Sequence, residues 1–287
     1  MSVDLARDLI ATQHHTLAGL PVTPIGQGWD NRAFRVGARW LFRFPQRAIA
    51  APLMESELRW LPVLAPRLSV PIPVPVFRGA PGPRYPFPFA GVRWLEGETG
   101  CRAGLTDAER VALAPRLGAL LRALHDTPTP DDPPHNPFDK ADLERKAGLI
   151  TERLPQVAHA LPVERVAAEV RALAQTPGWA GAPRWIHGDL YARHLLIGPD
   201  RALAGIIDWG DLCVSDPAQD LALTWSFLPA EGRAAFYTAY GPVDAATRDR
   251  ARLQAIHSAV AMLVYGQAVE DRAMRQAGLD AVRLMSD

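Results

Sequence analysis

The stretch from Trp185 to Asp220, WIHGDLYARHLLIGPDRALAGIIDWGDLCVSDPAQD, constrains this chain more than any other. Its pattern predicts a short apolar strand that ends in a turn carrying Asp189. A hairpin follows, and a second apolar strand ends at Asp208. Two carboxylates fixed on rigid strand ends can divide one task. One orients a hydroxyl and takes its proton, and the other holds a divalent cation. Phosphoryl transfer from a nucleotide requires that division.

The rest of the chain fits a soluble globular protein of one large or two smaller domains. It has 287 residues, 48% hydrophobic and 22% charged. Formal net charge is zero, so no bulk attraction to nucleic acid or an anionic membrane is expected. No apolar run approaches the roughly 20 residues that span a bilayer. The first residues, MSVDLARDLIATQHH, lack the apolar centre of a signal peptide. Cys101 and Cys213 are the only cysteines, which suits a reducing cytoplasm. Lysine occurs only at Lys140 and Lys146, so any cationic role before residue 140 falls to arginine.

Periodicity and breakers give the order of elements. Residues 1–20 read as an amphipathic helix. Arg32–Val36 and Trp40–Phe44 read as a hairpin around Gly37-Ala38, and Glu55–Leu64 as a helix. Prolines keep 70–89 extended, and a strand follows at Phe89–Leu95. Thr106 and Glu109 form a capping-box pattern for a helix to about His125, with a kink or late start expected at Pro115. Helices are expected at 140–153 and 163–175. Asp216-Pro217 opens a further run of helices broken at Pro229 and Gly241-Pro242. The fold expected is α+β and bilobal: a small β-rich lobe over 1–95 that binds nucleotide, and a larger helical lobe over 96–287.

At His187-Gly188-Asp189, His194, Ile207-Asp208-Trp209-Gly210, Asp216-Pro217 and Asp220 the chain resembles the aminoglycoside and macrolide phosphotransferases. These are antibiotic kinases with a protein-kinase-like fold. The resemblance runs from about Gly26 to Asp220. It implies that Asp189 is the catalytic base and Asp208 a metal ligand. It implies Mg²⁺ as cofactor and ATP or GTP as phosphoryl donor. Asp220 would anchor the catalytic loop from below and Asp216 would cap a helix, while His187 reads as structural. His194 stands where most of the wider family has Asn. An imidazole nitrogen is a poorer donor for Mg²⁺ than an amide oxygen. The macrolide phosphotransferases share a His here in a similar setting, which points the acceptor toward macrolides and keeps GTP in play.

In the first lobe, Gly26-Gln27-Gly28-Trp29-Asp30-Asn31 matches the loop over the phosphates, and Arg43 occupies the strand position of the kinase phosphate-binding lysine. Its expected partner is Glu57, from the spacing to Leu61 and Leu64, with Glu55 second. The backbone hinge for the base is expected near Gly91–Leu95, at Arg93 and Trp94. No Walker A pattern occurs, and His187, Asp189 and His194 match no common zinc spacing.

Seven residues separate Asp208 from Asp216, too few for a peptide-docking activation segment, so a small-molecule hydroxyl acceptor is expected. Macrolides come first, aminoglycosides next, and choline-, homoserine- or sugar-type metabolites after them. A non-catalytic nucleotide-binding protein is the remaining alternative. It is favoured by Arg at 43 and His at 194 and opposed by the retention of Asp189 and Asp208. Trp225, Phe227, Tyr237, Tyr240, Met262 and Tyr265 are the apolar candidates for an acceptor pocket, with core packing the commoner fate at helical spacing. Glu231, Glu270 and Asp271 are the acidic ones. Oligomeric state stays open.

Overall fold

The computed structural model describes residues 1–28, 30–134, 136–137 and 141–286. Trp29 of the phosphate-loop pattern and Lys140, where a helix was expected to open, lie outside them. Helix α1 (Val3–Gln13) is capped by Ser2, whose hydroxyl accepts from the Leu5 N–H at 3.1 Å. Strands β1 (Val22–Gln27), β2 (Asn31–Val36), β3 (Trp40–Pro45), β4 (Pro75–Gly79) and β5 (Phe89–Arg93) form one antiparallel sheet, in the order β1-β2-β3-β5-β4.

Alternation along Trp40-Leu41-Phe42-Arg43-Phe44 sets what each sheet face does. Trp40, Phe42 and Phe44 pack with Phe34, Phe89 and the α1 residues Ala6 and Ile10 into one apolar cluster. Arg43 falls on the opposite face. Gly91 in β5 is required by this packing: a Cβ there would lie 2.4 Å from the Phe42 ring.

Helix α2 spans Ala50–Leu64 and so begins five residues before the expected Glu55. Pro52 sits in the first turn, where its missing N–H costs no helical bond. Pro62 near the other end leaves the Leu58 carbonyl without its usual helical donor. The Arg78 guanidinium fills the gap.

The chain after β5 is mainly helical. Short β6 (Glu98–Thr99) leads to α3 (Asp107–His125), which carries the predicted capping box. It starts where the box puts it and runs through Pro115 without a late start. Then come α4 (Leu143–Arg153), α5 (Val163–Leu173), β7 (Arg184–Ile186), β8 (Leu195–Ile197), β9 (Leu203–Ile206) and β10 (Cys213–Ser215). Helices α6 (Ala218–Leu221), α7 (Leu223–Ser226), α8 (Ala230–Tyr240), α9 (Ala245–Ala268) and α10 (Arg272–Ser286) finish the chain. Small sheets β10-β7 and β6-β8-β9 hold the predicted hairpin in place.

Two cores support this half. One joins α3, α6 and α7 to Leu61 and Leu64 of α2 and to Val70 and Ile72 of the proline-rich segment. That segment is also tied to β9, because the Ile206 N–H donates to the Pro71 carbonyl at 3.1 Å. The other core packs α4, α5, α9 and α10 together. The α+β architecture expected from the sequence is the one observed. No helix among the described residues is long and apolar enough to cross a membrane.

Candidate active site

The turn after β7 carries His187, Gly188 and Asp189. Gly188 has φ +83°, and a Cβ there would lie 2.5 Å from the Asp211 carbonyl oxygen, so only glycine fits. Asp220 of α6 holds the turn from below with a fully buried carboxylate. It accepts the His187 N–H at 2.7 Å and the Gly188 N–H at 2.9 Å. A third contact comes from His125 Nε2 at the end of α3, 3.2 Å away, whose Nδ1 meets the Tyr240 hydroxyl at 2.8 Å. Burial pushes the Asp220 carboxyl up, and these donors outweigh it, holding the carboxyl below its ordinary range.

His187 is a strut, as expected. Its Nε2–H donates to the Ile207 carbonyl at 3.0 Å, and its Nδ1 accepts the Asp189 N–H at 3.3 Å. Accepting there requires the neutral ring, and burial lowers this imidazole's pKa accordingly.

His194 links the two carboxylates singled out from the sequence. Its Nδ1–H donates to the Asp189 backbone carbonyl at 2.6 Å, and the same nitrogen lies 3.8 Å from the Asp189 carboxylate. Its Nε2 faces Asp208 Oδ2 at 3.3 Å. Burial opposes charge on this ring. The hydrogen bond and charge of Asp208, with the charge of Asp189, overcome it and raise the pKa to about 9. For Asp208, burial is likewise outweighed by His194 and by Arg43, and its carboxyl stays below the usual range. The Asp208 side chain is 55% exposed and its backbone is left-handed, with φ 64° and ψ 63°. A non-glycine residue held this way is strained, and such strain clusters at functional sites.

Across the cleft, Arg43 pairs with Glu57 and not Glu55. Both residues are buried, and Arg43 Nε and Glu57 Oε1 have no hydrogen-bond partner among the described residues. Burial dominates at Glu57 and raises its pKa despite Arg43. Gly26 lies in β1 at a register shift, and the Gly28 N–H donates to the Asn31 carbonyl at 2.9 Å. At the hinge, the Trp94 N–H is already spent on the Arg39 carbonyl at 2.8 Å, and its indole lies 3.9 Å from the Arg35 guanidinium. Arg93 is exposed at the end of β5. Next to Trp94, the Leu95 N–H makes no backbone hydrogen bond among the described residues.

The structure adds residues that the sequence reading passed over. Tyr191 packs against His194 with ring centroids 4.4 Å apart and planes tilted by 58°, and its hydroxyl makes no hydrogen bond among the described residues. Arg193 Nη1 lies 3.4 Å from Asp271 Oδ2, and Arg102 reaches the same oxygen at 3.5 Å. Position gave a usable signal for both, since Tyr191 and Arg193 alternate between Asp189 and His194. His125 gave none, because its contacts to Asp220 and Tyr240 cross about a hundred residues of chain.

Of the apolar acceptor candidates, Phe227, Tyr240 and Met262 are buried in the cores, as helical spacing favours. Trp225, Tyr237 and Tyr265 stay half-buried. Tyr265 joins Tyr191 and Cys101 at the edge of the second core.

Comparison with known proteins agrees with this geometry. The uncharacterized protein YcbJ of Bacillus subtilis (strain 168) is 42% identical over 45 residues, which are 16% of this chain. The chain thus covers 15% of that curated relative's length. The structure of the GDP complex of wild-type aminoglycoside 2'-phosphotransferase-IIIa superposes with a TM-score of 0.70 at 25% identity, covering 99% of this chain and 98% of that one. The macrolide 2'-phosphotransferase MphH from Brachybacterium faecium shares the fold at a TM-score of 0.60 and 22% identity, covering 97% of each chain. A model of the phosphotransferase enzyme family matches residues 21–256, so the chain belongs to that family.

Proposed function

We propose that this protein transfers the γ-phosphoryl group of ATP or GTP to a hydroxyl of an antibiotic-like small molecule, a macrolide first and an aminoglycoside next. The observation that carries the reading is the His194 bridge, which sets Asp189 and Asp208 side by side opposite Arg43. The related structure holding GDP supports a nucleotide donor.

In this reading Asp189 orients the acceptor hydroxyl and takes its proton as the oxygen bonds to the γ-phosphorus. The bond to the β-phosphate oxygen breaks, and the nucleoside diphosphate leaves. Asp220, His187 and Gly188 keep Asp189 at the height of the loop. Arg43, fixed by Glu57, is the guanidinium that would meet phosphate oxygens from this strand. A Cβ at Gly26 would meet no protein atom within 4 Å, and one at Gly28 only Asn31 O at 3.7 Å. That open space over the loop suits phosphates. Leu95, with its open amide, is a better hinge donor to a base than Trp94.

The donor set fits Mg²⁺ in part. Asp208 supplies an exposed carboxylate, and His194 turns Nε2 toward it. No cluster of three His, Cys, Asp or Glu side chains that could hold a metal ion occurs among the described residues. Phosphate and water oxygens would complete the shell, as is usual for this ion. Bound there, the ion would neutralise charge on the β- and γ-phosphates.

A coupled nucleotide-turnover assay with Mg²⁺ tests the reading, run with ATP and with GTP against macrolides, aminoglycosides and small amino alcohols. Turnover stimulated by an acceptor and lost in Asp189→Ala is the expected result. Stimulation that survives this substitution removes Asp189 from the reaction.

A further inference from the structure

We infer that the acceptor mouth takes a neutral or singly charged hydroxylated molecule and turns polycations away, because Arg102 and Arg193 flank it and share one carboxylate, Asp271. The inference rests on the kinase reading and narrows its substrate class.

Arg193 lies between Asp189 and His194 on the catalytic loop, so a hydroxyl that reaches Asp189 passes within a side chain's length of it. Arg102 follows β6, which is fastened to the same loop by the Gly100 N–H donating to the Leu195 carbonyl at 2.9 Å. The two guanidinium side chains are 59% and 41% exposed, against 17% for Asp271. Asp271 has little left to offer an amine. Its Oδ2 faces both arginines, and its Oδ1 caps α10 through the Ala273 and Met274 N–H groups, each at 3.1 Å. The turn itself adds no net negative charge, since Glu270 and Asp271 are followed by Arg272 and Arg275. Asp189 is committed to the hydroxyl and Asp208 to His194 or a cation. Glu231 opens α8, which packs along α3. A ligand with several ammonium groups would therefore meet two exposed guanidinium groups whose shared carboxylate is already engaged, an arrangement that selects by repulsion.

The test is calorimetric titration of the full chain, with Mg²⁺ and a non-hydrolysable GTP analogue present. The probes are kanamycin, which carries several amines, and erythromycin, which carries one. Repulsion is screened by salt, so wild-type affinity for kanamycin should rise between about 20 and about 200 mM NaCl. In the double variant Arg102→Glu/Arg193→Glu, kanamycin should bind on the order of tenfold tighter at low salt, with erythromycin changed by less than about threefold. Wild-type kanamycin binding that weakens with salt overturns the inference. So does a folded double variant with no gain. If wild-type protein binds no kanamycin at either salt, the variant's gain or lack of it decides. Failure of the kinase reading shows elsewhere, as no Asp189-dependent phosphoryl transfer to any acceptor.

Discussion

Arg43 on β3 and Glu57 on α2 form an ion pair that water barely reaches, with side chains 10% and 1% exposed. Burial opposes both charges, and each is held by the other. Removing Arg43 would strand a carboxyl beside Asp208 and Asp211. Arg43→Ala should therefore cost about 3–5 kcal/mol, the usual range for breaking a buried pair. Arg43→Met with Glu57→Leu should recover most of that stability, because the desolvation of both charges disappears. Urea unfolding measures the difference. Nucleotide titration should show both variants weakened, since neither keeps the guanidinium. A double variant that bound nucleotide normally would take Arg43 out of the phosphate site.

Asp189→Asn keeps the shape of the side chain while removing the proton acceptor. It should lower kcat by about 10²–10⁴-fold, the range for a lost general base. Nucleotide affinity should change by less than about threefold, because no ground-state contact to phosphate is lost. A proportionate loss in nucleotide affinity would instead assign Asp189 to binding.

The residues behind these two predictions were legible for different reasons. Asp189 and Asp208 stand out because the backbone around them is dictated locally, by short apolar strands, Gly188 and a tight hairpin. Arg43 was legible through the resemblance, as the residue at the kinase lysine's strand position in a chain with no lysine before Lys140, and Glu57 by its spacing to Leu61 and Leu64. The start of α2 was missed because its first turn, Ala50 to Leu53, contains Pro52 and has no side-chain cap to mark it. That the Trp94 amide is taken by Arg39, in the β2–β3 turn, was not legible, because backbone pairing leaves no side-chain signature. Phe227 and Tyr265 show the same limit from another side. Both sit at helical spacing, and only tertiary packing sends one to the core and leaves the other at its edge.

His194 does two things at once: it braces the Asp189 carbonyl through Nδ1 and faces Asp208 through Nε2. Asn can donate one hydrogen bond and offer an oxygen, which a divalent hard ion prefers. His194→Asn should thus retain phosphoryl transfer and reach half-maximal rate at lower Mg²⁺ concentration. His194→Leu removes both contacts and should lower kcat by on the order of 10²-fold. Rates measured across a range of Mg²⁺ and Mn²⁺ concentrations separate the two. Identical metal dependence in wild type and His194→Asn would leave the residue a brace for the loop and nothing more.

Glu109 joins the start of α3 to the β8–β9 turn. Its carboxylate accepts from Arg201 Nε at 2.6 Å and Nη2 at 2.9 Å, and from the Thr106 N–H at 2.7 Å. Arg201 is one of the few non-glycine residues with positive φ, at 64°, and this pairing anchors it there. The Arg201 hydrogen bonds, followed by those of Thr106, pull the Glu109 carboxyl from its ordinary 4.5 down to about 2. A carboxyl depressed by folding stabilises the fold above its unfolded value, and that contribution fades as pH falls through the folded value. Glu109→Gln should therefore lower the urea midpoint at pH 7, with the gap constant down to about pH 5 and narrowing steadily below it. Arg201→Gln should show the same pH profile, and the double variant should lose little more than either single one, because all three break one interaction. A gap between wild type and Glu109→Gln that stayed constant from about pH 7 to about pH 3 would mean that the carboxylate's charge contributes nothing, and that the capping hydrogen bonds alone hold this corner.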